Sequence, residues 1–71
     1  MPKIPALKPK IVIKILTHEG FVFVRQKGSH RIYIKADRSV TVPYHNQDLR
    51  KGTLLSIIKK SGLNPKLFTS N

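Results

Sequence analysis

Apolar residues recur at helical spacing near the start of the chain, between residues 8 and 19. The stripe that they would form on one face of a helix consists of Ile11, Val12, Ile15 and Leu16. Pro9 suits a first helical turn and Gly20 suits the position just after a last turn, so both ends favour a helix over residues 8–19. Because Ile11-Val12-Ile13 is a β-branched run, a strand is the competing interpretation.

The middle of the chain has the pattern of short strands rather than helices. Three segments rich in β-branched and aromatic residues predict strands over residues 21–26, 31–35 and 40–42. Lys27-Gly28-Ser29-His30 lies between the first two and predicts an antiparallel hairpin. A second turn is predicted over residues 36–39, and Pro43 ends the third strand.

A second helical stripe is predicted over residues 53–61, with Lys59 and Lys60 in its last turn and Gly62 beyond it. The helical residues that we expect in the core are Ile11, Val12, Ile15, Leu16, Leu54, Leu55 and Ile58. The resulting order, α-β-β-β-α, predicts an α+β two-layer sandwich: a three-stranded antiparallel sheet with both helices on one face and the other face open. Double-stranded-RNA-binding domains share this order of elements. We expect one domain over residues 1–71, with residues 1–8 as a loose basic leader.

The charge of the chain narrows the classes of partner. Its 71 residues carry 14 Lys and Arg against 3 Asp and Glu, a net charge of +11, and this excess favours a polyanion such as nucleic acid. The absence of cysteine excludes disulfides, thiolate metal sites and a cysteine nucleophile. The longest apolar run ends at Lys14 and no secretory signal is present, so we expect a cytoplasmic protein that contacts nucleic acid.

This inventory allows one class of enzyme, a metal-independent ribonuclease. The 2′-hydroxyl of RNA can attack the neighbouring phosphorus if the protein supplies a proton acceptor, a proton donor and cations. A histidine serves either proton role near neutral pH, and His30 lies at a turn beside Gly28, where a phosphate can approach the backbone. The auxiliary candidates next to it are Arg25, Lys27, Ser29 and Arg31. An exposed hairpin histidine with no role is the alternative.

Three further positions have both a functional and an ordinary structural interpretation, and a fourth has the structural one alone. His45 follows the third strand, at the end of the sheet where His30 is expected, and either joins the acid–base chemistry or is a solvated loop residue. Lys51 precedes Gly52-Thr53, which is either a phosphate-binding helix N-terminus or an ordinary Thr cap. Tyr33 is predicted on the open sheet face, where it stacks on a base or simply covers the sheet. His18, near the end of the first helix, is interpreted as structural.

Several short motifs occur in an order that resembles the HicA toxin family. They are Gly20-Phe21, Arg25, Gly28-Ser29-His30, Val42-Pro43-Tyr44-His45 and Lys51-Gly52-Thr53-Leu54. The resemblance extends from about Ile11 to Leu63, and Val22 departs from it where relatives usually carry a polar residue. It implies a double-stranded-RNA-binding-like fold and an endoribonuclease that cleaves messenger RNA and blocks translation, with His30 as the active-site histidine. It also implies a cognate HicB antitoxin in a type II toxin–antitoxin pair.

Two other functions remain open at this point. The chain is either a non-catalytic RNA-binding module, or an interaction protein whose basic surface serves an acidic partner. The toxin and interaction hypotheses are compatible, since an antitoxin that covers so basic a surface would be acidic at the contact. No cofactor and no metal are expected.

Overall fold

The computed structural model describes residues 4–69 and confirms the predicted order of elements. They are α1 (Pro9–His18), β1 (Val22–Lys27), β2 (His30–Lys35), β3 (Arg38–Pro43), α2 (Lys51–Ser61) and a final 3-10 helix, Pro65–Phe68. The strands form one antiparallel sheet in the order β1-β2-β3, so β2 is central and β1 and β3 are edges. No helix within residues 4–69 is long and apolar enough to cross a membrane.

Both hairpins close with two-residue loops. Lys27 pairs with His30 across the first loop, and Lys35 pairs with Arg38 across the second. The second turn is therefore shorter than the predicted residues 36–39. Polar residues extend β3 toward the loop because a hairpin end with exposed side chains needs no apolar residues.

The helices cover the sheet face that carries the buried side chains of Tyr33, Val40 and Val42. Most of the predicted helical core is confirmed, with Val12, Leu16, Leu54 and Ile58 buried and Ile15 partly buried. The prediction is wrong for Ile11 and Leu55, which are exposed. Ile57 is buried in α2, and its place in the 3.6-residue period beside Leu54 explains why it packs on the sheet where Leu55 does not.

Tyr33 corrects the prediction of an open, base-stacking aromatic. It is 2% exposed, it pairs with Val40, and its ring meets Phe23 edge-on at 5.6 Å between centroids. Alternation does place it on the same face as Arg31 and Lys35, but that face is the one covered by the helices. Both cations on this core-facing row have partners: Arg31 lies against the Tyr44 ring, and Lys35 donates to the Glu19 carbonyl.

The predicted leader over residues 1–8 is not loose in its second half. Leu7 is buried, its carbonyl accepts a hydrogen bond of 2.8 Å from the Leu49 N–H, and Ile4 packs against the core. This segment therefore ties the chain before α1 to the loop before α2. Residues 1–3 of the predicted leader lie outside the described residues.

Two cations of the second hairpin contact the C-terminal carbonyls of the two helices. Lys35 Nζ donates to the Glu19 carbonyl at 2.6 Å, and Arg38 Nη1 donates to the Lys60 carbonyl at 3.3 Å. A cation at this position complements the negative end of the helix dipole. The hairpin thereby contacts the C-terminal ends of both helices.

Candidate functional site

His30 is the first residue of β2 and lies at the end of the sheet formed by the first hairpin. It pairs with Lys27 on β1 and with Pro43 on β3. Because cross-strand partners point to the same face, the ammonium of Lys27 and the imidazole of His30 share the sheet face opposite Tyr33. The next row on that face contains Arg25, Ile32 and Thr41. Two of the predicted auxiliary cations therefore lie on the same face as His30.

A cleft of about 310 Å³ opens between the edge of β3 and α2, and His30 forms part of its wall. The residues that line it are His30, Val40, Thr41, Pro43, Gly52, Thr53, Ser56, Ile57 and Lys60. The lining residues include three with hydroxyls, one lysine and one histidine but no acidic residue, so the cleft favours an anionic ligand. Glu19, Asp37 and Asp48 all lie elsewhere.

The Gly28-Ser29 loop before His30 has a backbone conformation that depends on its glycine. Gly28 has φ +58°, a left-handed conformation that glycine adopts without strain, and the position that a Cβ would take has no neighbour within 4 Å. Gln26 Nε2 donates to the Gly28 carbonyl at 2.9 Å, which braces the loop from β1. The backbone at Gly28 and Ser29 is therefore held in place while its outer side stays open.

Arg31 faces away from His30, because successive residues of a strand point to opposite faces. Its Nε donates to Gln26 Oε1 at 3.0 Å, and its guanidinium lies 3.7 Å from the centroid of the Tyr44 ring. The Tyr44 N–H in turn donates to the Ser29 carbonyl at 2.6 Å. Arg31 thus contacts the two residues that hydrogen-bond to the Gly28-Ser29 loop, Gln26 and Tyr44.

His45 lies at the same end of the sheet as His30, as the order of strands predicts. The segment that carries it is held there by the hydrogen bond from Tyr44 to Ser29. His45 Nδ1 accepts a hydrogen bond of 3.3 Å from the Gln47 N–H, so in the neutral ring the proton is on Nε2. Its side chain is exposed and does not line the cleft.

Lys51 is the first residue of α2, whose N-cap is Arg50. Gly52 and Thr53 lie inside the first helical turn, so the Thr-cap interpretation is wrong. Gly52 and Thr53 both line the cleft, which brings the N-terminal end of α2 to the wall opposite β3. Lys51 is exposed beside it and does not itself line the cleft.

Sequence reasoning missed Thr41 and Ser56 in this cleft, and it did not separate Lys60 from Lys59, which were interpreted together as either RNA contacts or a solvated helix end. Thr41 was detectable in principle, because it lies between the core residues Val40 and Val42 and must therefore point to the face of His30. Ser56 and Lys60 lie on one side of the apolar stripe of α2, but only the docking of α2 on β3 shows that this side faces the cleft. Within residues 4–69, no group of three or more His, Asp or Glu side chains is arranged to hold a metal ion.

The chain matches a known protein family. The family described as "HicA toxin of bacterial toxin-antitoxin" matches residues 9–63, from the start of α1 to just beyond α2. The match includes both hairpins, the loop before His30 and every residue that lines the cleft. No curated protein matches the chain significantly.

Proposed function

The chain belongs to the HicA toxin family of bacterial toxin–antitoxin pairs, and on this premise we propose that it is an endoribonuclease that cleaves messenger RNA without a metal. As a toxin it blocks translation until a cognate HicB-type antitoxin neutralises it. The observation that carries the proposal is the position of His30, on the wall of an anion-favouring cleft and on one sheet face with Lys27.

The chemistry proposed for this site is transfer of the phosphodiester to the neighbouring 2′-hydroxyl. The 2′-oxygen attacks phosphorus, its proton goes to a base, and the 5′-oxygen leaves with a proton from an acid. The products are a 2′,3′-cyclic phosphate and a 5′-hydroxyl. The imidazole of His30 performs one of these proton transfers, since histidine is suited to both near neutral pH.

The auxiliary residues stabilise charge and shape around that step. Lys27 and Arg25 supply positive charge on the face of His30, where the phosphorane becomes more negative. Gly28 and Ser29 offer an open backbone and a hydroxyl beside the phosphate. Arg31 acts through Gln26 and Tyr44 by holding the loop in place.

His45 and Lys51 have peripheral roles in this proposal. The Nε2–H of a neutral His45 is a hydrogen-bond donor at the same end of the sheet and serves the leaving oxygen or a flanking phosphate. Lys51 adds positive charge at the N-terminal end of α2, beside the cleft. Both lie outside the cleft wall, so we assign the central proton transfer to His30.

A non-catalytic RNA-binding module is the second candidate, and one observation favours it. Among the residues that the structure describes, His30 has no hydrogen-bond partner for its imidazole, whereas catalytic bases are commonly oriented by a third group. In the nuclease proposal, the bound RNA supplies the group that orients the imidazole of His30. In the binding proposal, His30 is only part of the surface.

The charge of the chain indicates the chemistry of the antitoxin surface that would contact it. With 14 basic and 3 acidic residues in the chain, an antitoxin that covers the cleft face must be acidic at the contact to compensate the buried cations.

Cleavage of a labelled single-stranded RNA in EDTA tests the proposed function. We expect the wild-type protein to cut the RNA and to leave a 5′-hydroxyl on the downstream fragment. His30→Ala should lower the rate by at least about 100-fold, the usual contribution of a positioned general acid or base. RNA binding and thermal stability should change little, because His30 is exposed.

The matched control is His18→Ala. His18 is also an exposed histidine, but it lies at the end of α1 and pairs with Glu19, away from the cleft. The His18→Ala variant should cleave the RNA at the wild-type rate. Cleavage that requires magnesium contradicts the mechanism, and binding without cleavage by the wild-type protein selects the RNA-binding module.

A further inference from the structure

One side of α2, from Gly52 to Lys60, forms a wall of the cleft and carries three polar residues. Thr53, Ser56 and Lys60 are spaced at i, i+3 and i+7, which places them on one face of the helix, and all three line the cleft. Lys59 precedes Lys60 in the same turn, is also exposed, and does not line the cleft. The structure therefore distinguishes two lysines that look equivalent in the sequence.

The cleft is longer than the phosphate at which His30 acts. Its β3 wall runs from Pro43, the partner of His30, to Val40, which are three residues or roughly 10 Å apart along a strand. Its α2 wall runs from Gly52 to Lys60, eight residues or roughly 12 Å along a helix. Two walls of this length accommodate more than one phosphate of an extended RNA strand.

Lys60 lies at the end of the cleft farthest from His30. Arg38, the first residue of β3, donates to the Lys60 carbonyl at 3.3 Å, which fixes the end of α2 beside the start of that strand. His30 pairs with Pro43 at the other end of β3. The backbone of Lys60 is thus anchored, while its ammonium has no hydrogen-bond partner among the described residues.

We propose that Lys60, with the Ser56 hydroxyl beside it, binds an RNA phosphate that flanks the scissile one. This inference rests on the proposed function, which places the scissile phosphate at His30. An ammonium and a hydroxyl are donors that suit a phosphate oxygen, and no carboxylate lines the cleft to compete for the ammonium. Lys60 is a substrate-binding residue here and does not touch the reacting atoms.

The test compares Lys60→Gln with Lys59→Gln on RNAs that differ in the number of phosphates. A dinucleotide has one phosphodiester, so it fills the His30 end only. Trinucleotides extended on the 5′ or the 3′ side add one flanking phosphate each. For one of the two trinucleotides, Lys60→Gln should raise KM about fivefold with kcat unchanged, the effect of one solvent-exposed ion pair. Dinucleotide cleavage by Lys60→Gln, and all cleavage by Lys59→Gln, should match the wild type.

A binding measurement in the His30→Ala background separates this inference from the nuclease proposal. The salt dependence of oligonucleotide affinity should fall by about 0.7 in log–log slope when Lys60, but not Lys59, is also replaced by Gln. If the wild type does not cleave and this slope still falls, the nuclease proposal fails and the phosphate site stands. If the two lysine variants behave alike in both assays, or if Lys60→Gln lowers dinucleotide cleavage as much as trinucleotide cleavage, the inference is overturned. Equal melting temperatures of the two variants show that the fold is intact.

Discussion

The two ends of the sheet use the same kind of residue for different purposes. We call the end with Lys27, Gly28, Ser29 and His30 the first-loop end, and the end with Lys35, Ala36, Asp37 and Arg38 the second-loop end. Both consist of a two-residue loop flanked by paired strand residues, with a positive φ at the first loop position. At the second-loop end both flanking cations contact helix carbonyls. At the first-loop end, within residues 4–69, neither Lys27 nor His30 has a side-chain partner.

The difference shows how a chain of charge +11 can fold around so few carboxylates. Helix C-termini carry partial negative charge, so Lys35 and Arg38 are accommodated there without any acidic residue. At the first-loop end Lys27 is exposed and has no such partner among the described residues, so its charge is available to an anionic ligand.

Among the variants that test this comparison, Gly62→Ala should have the largest effect on stability, because Gly62 lies against the second-loop end. Gly62 has φ +70°, and a Cβ at this position would lie 2.5 Å from Cζ of Arg38. Gly62→Ala must therefore strain the backbone and displace the guanidinium that contacts α2. We expect the free energy of unfolding to fall by about 2 kcal/mol, which lowers Tm by roughly 10 °C in a domain of this size.

Gly28→Ala is the matched control at the first-loop end. Gly28 has a similar φ of +58°, but the space around it is open, so only backbone strain of about 1 kcal/mol is expected. Thermal unfolding of both variants measures the difference. Equal losses of stability would mean that the Arg38 contact contributes nothing.

A smaller effect, a gain in stability, is expected when Ala36 in the second loop is replaced by Gly. Ala36 is the single non-glycine residue with positive φ among the described residues, at +54°. Ala36→Gly removes this strain but adds freedom to the unfolded chain, so a net gain of about 0.5 kcal/mol is expected. Asp37→Gly gains no such relief and should destabilise by a similar amount. If Asp37→Gly stabilised the protein as much as Ala36→Gly, the loop would not store strain at Ala36.

The features that were predictable from the sequence are those with local causes. Pro9 and Gly62 mark helix ends by their backbone preferences, and Gly28 permits a left-handed loop, so the order of elements and the position of His30 follow from short windows. The resemblance to HicA toxins also rests on contiguous motifs, and the family match confirms it.

The features that were not predictable depend on how the elements dock. Alternation grouped Tyr33 with Arg31 and Lys35 correctly, but it does not say which face the helices cover. The helical period allowed either Leu55 or Ile57 to face the sheet. Lys60 joins the cleft of His30 only because α2 packs against β3. Each of these outcomes is set by tertiary packing, which overrides what a short window contains.

A comparison of Lys27→Met with Lys35→Met tests the central claim most directly, because both remove one ammonium from the flank of a two-residue loop. RNA cleavage and thermal unfolding are measured on each variant. Lys27→Met should lower cleavage by roughly tenfold and leave stability unchanged, since its charge acts on the substrate. Lys35→Met should lower the free energy of unfolding by about 0.5–1 kcal/mol, through the lost contact with the Glu19 carbonyl, and should cleave like the wild type. If Lys35→Met loses cleavage, or if Lys27→Met loses stability instead of cleavage, the division between the two ends is contradicted.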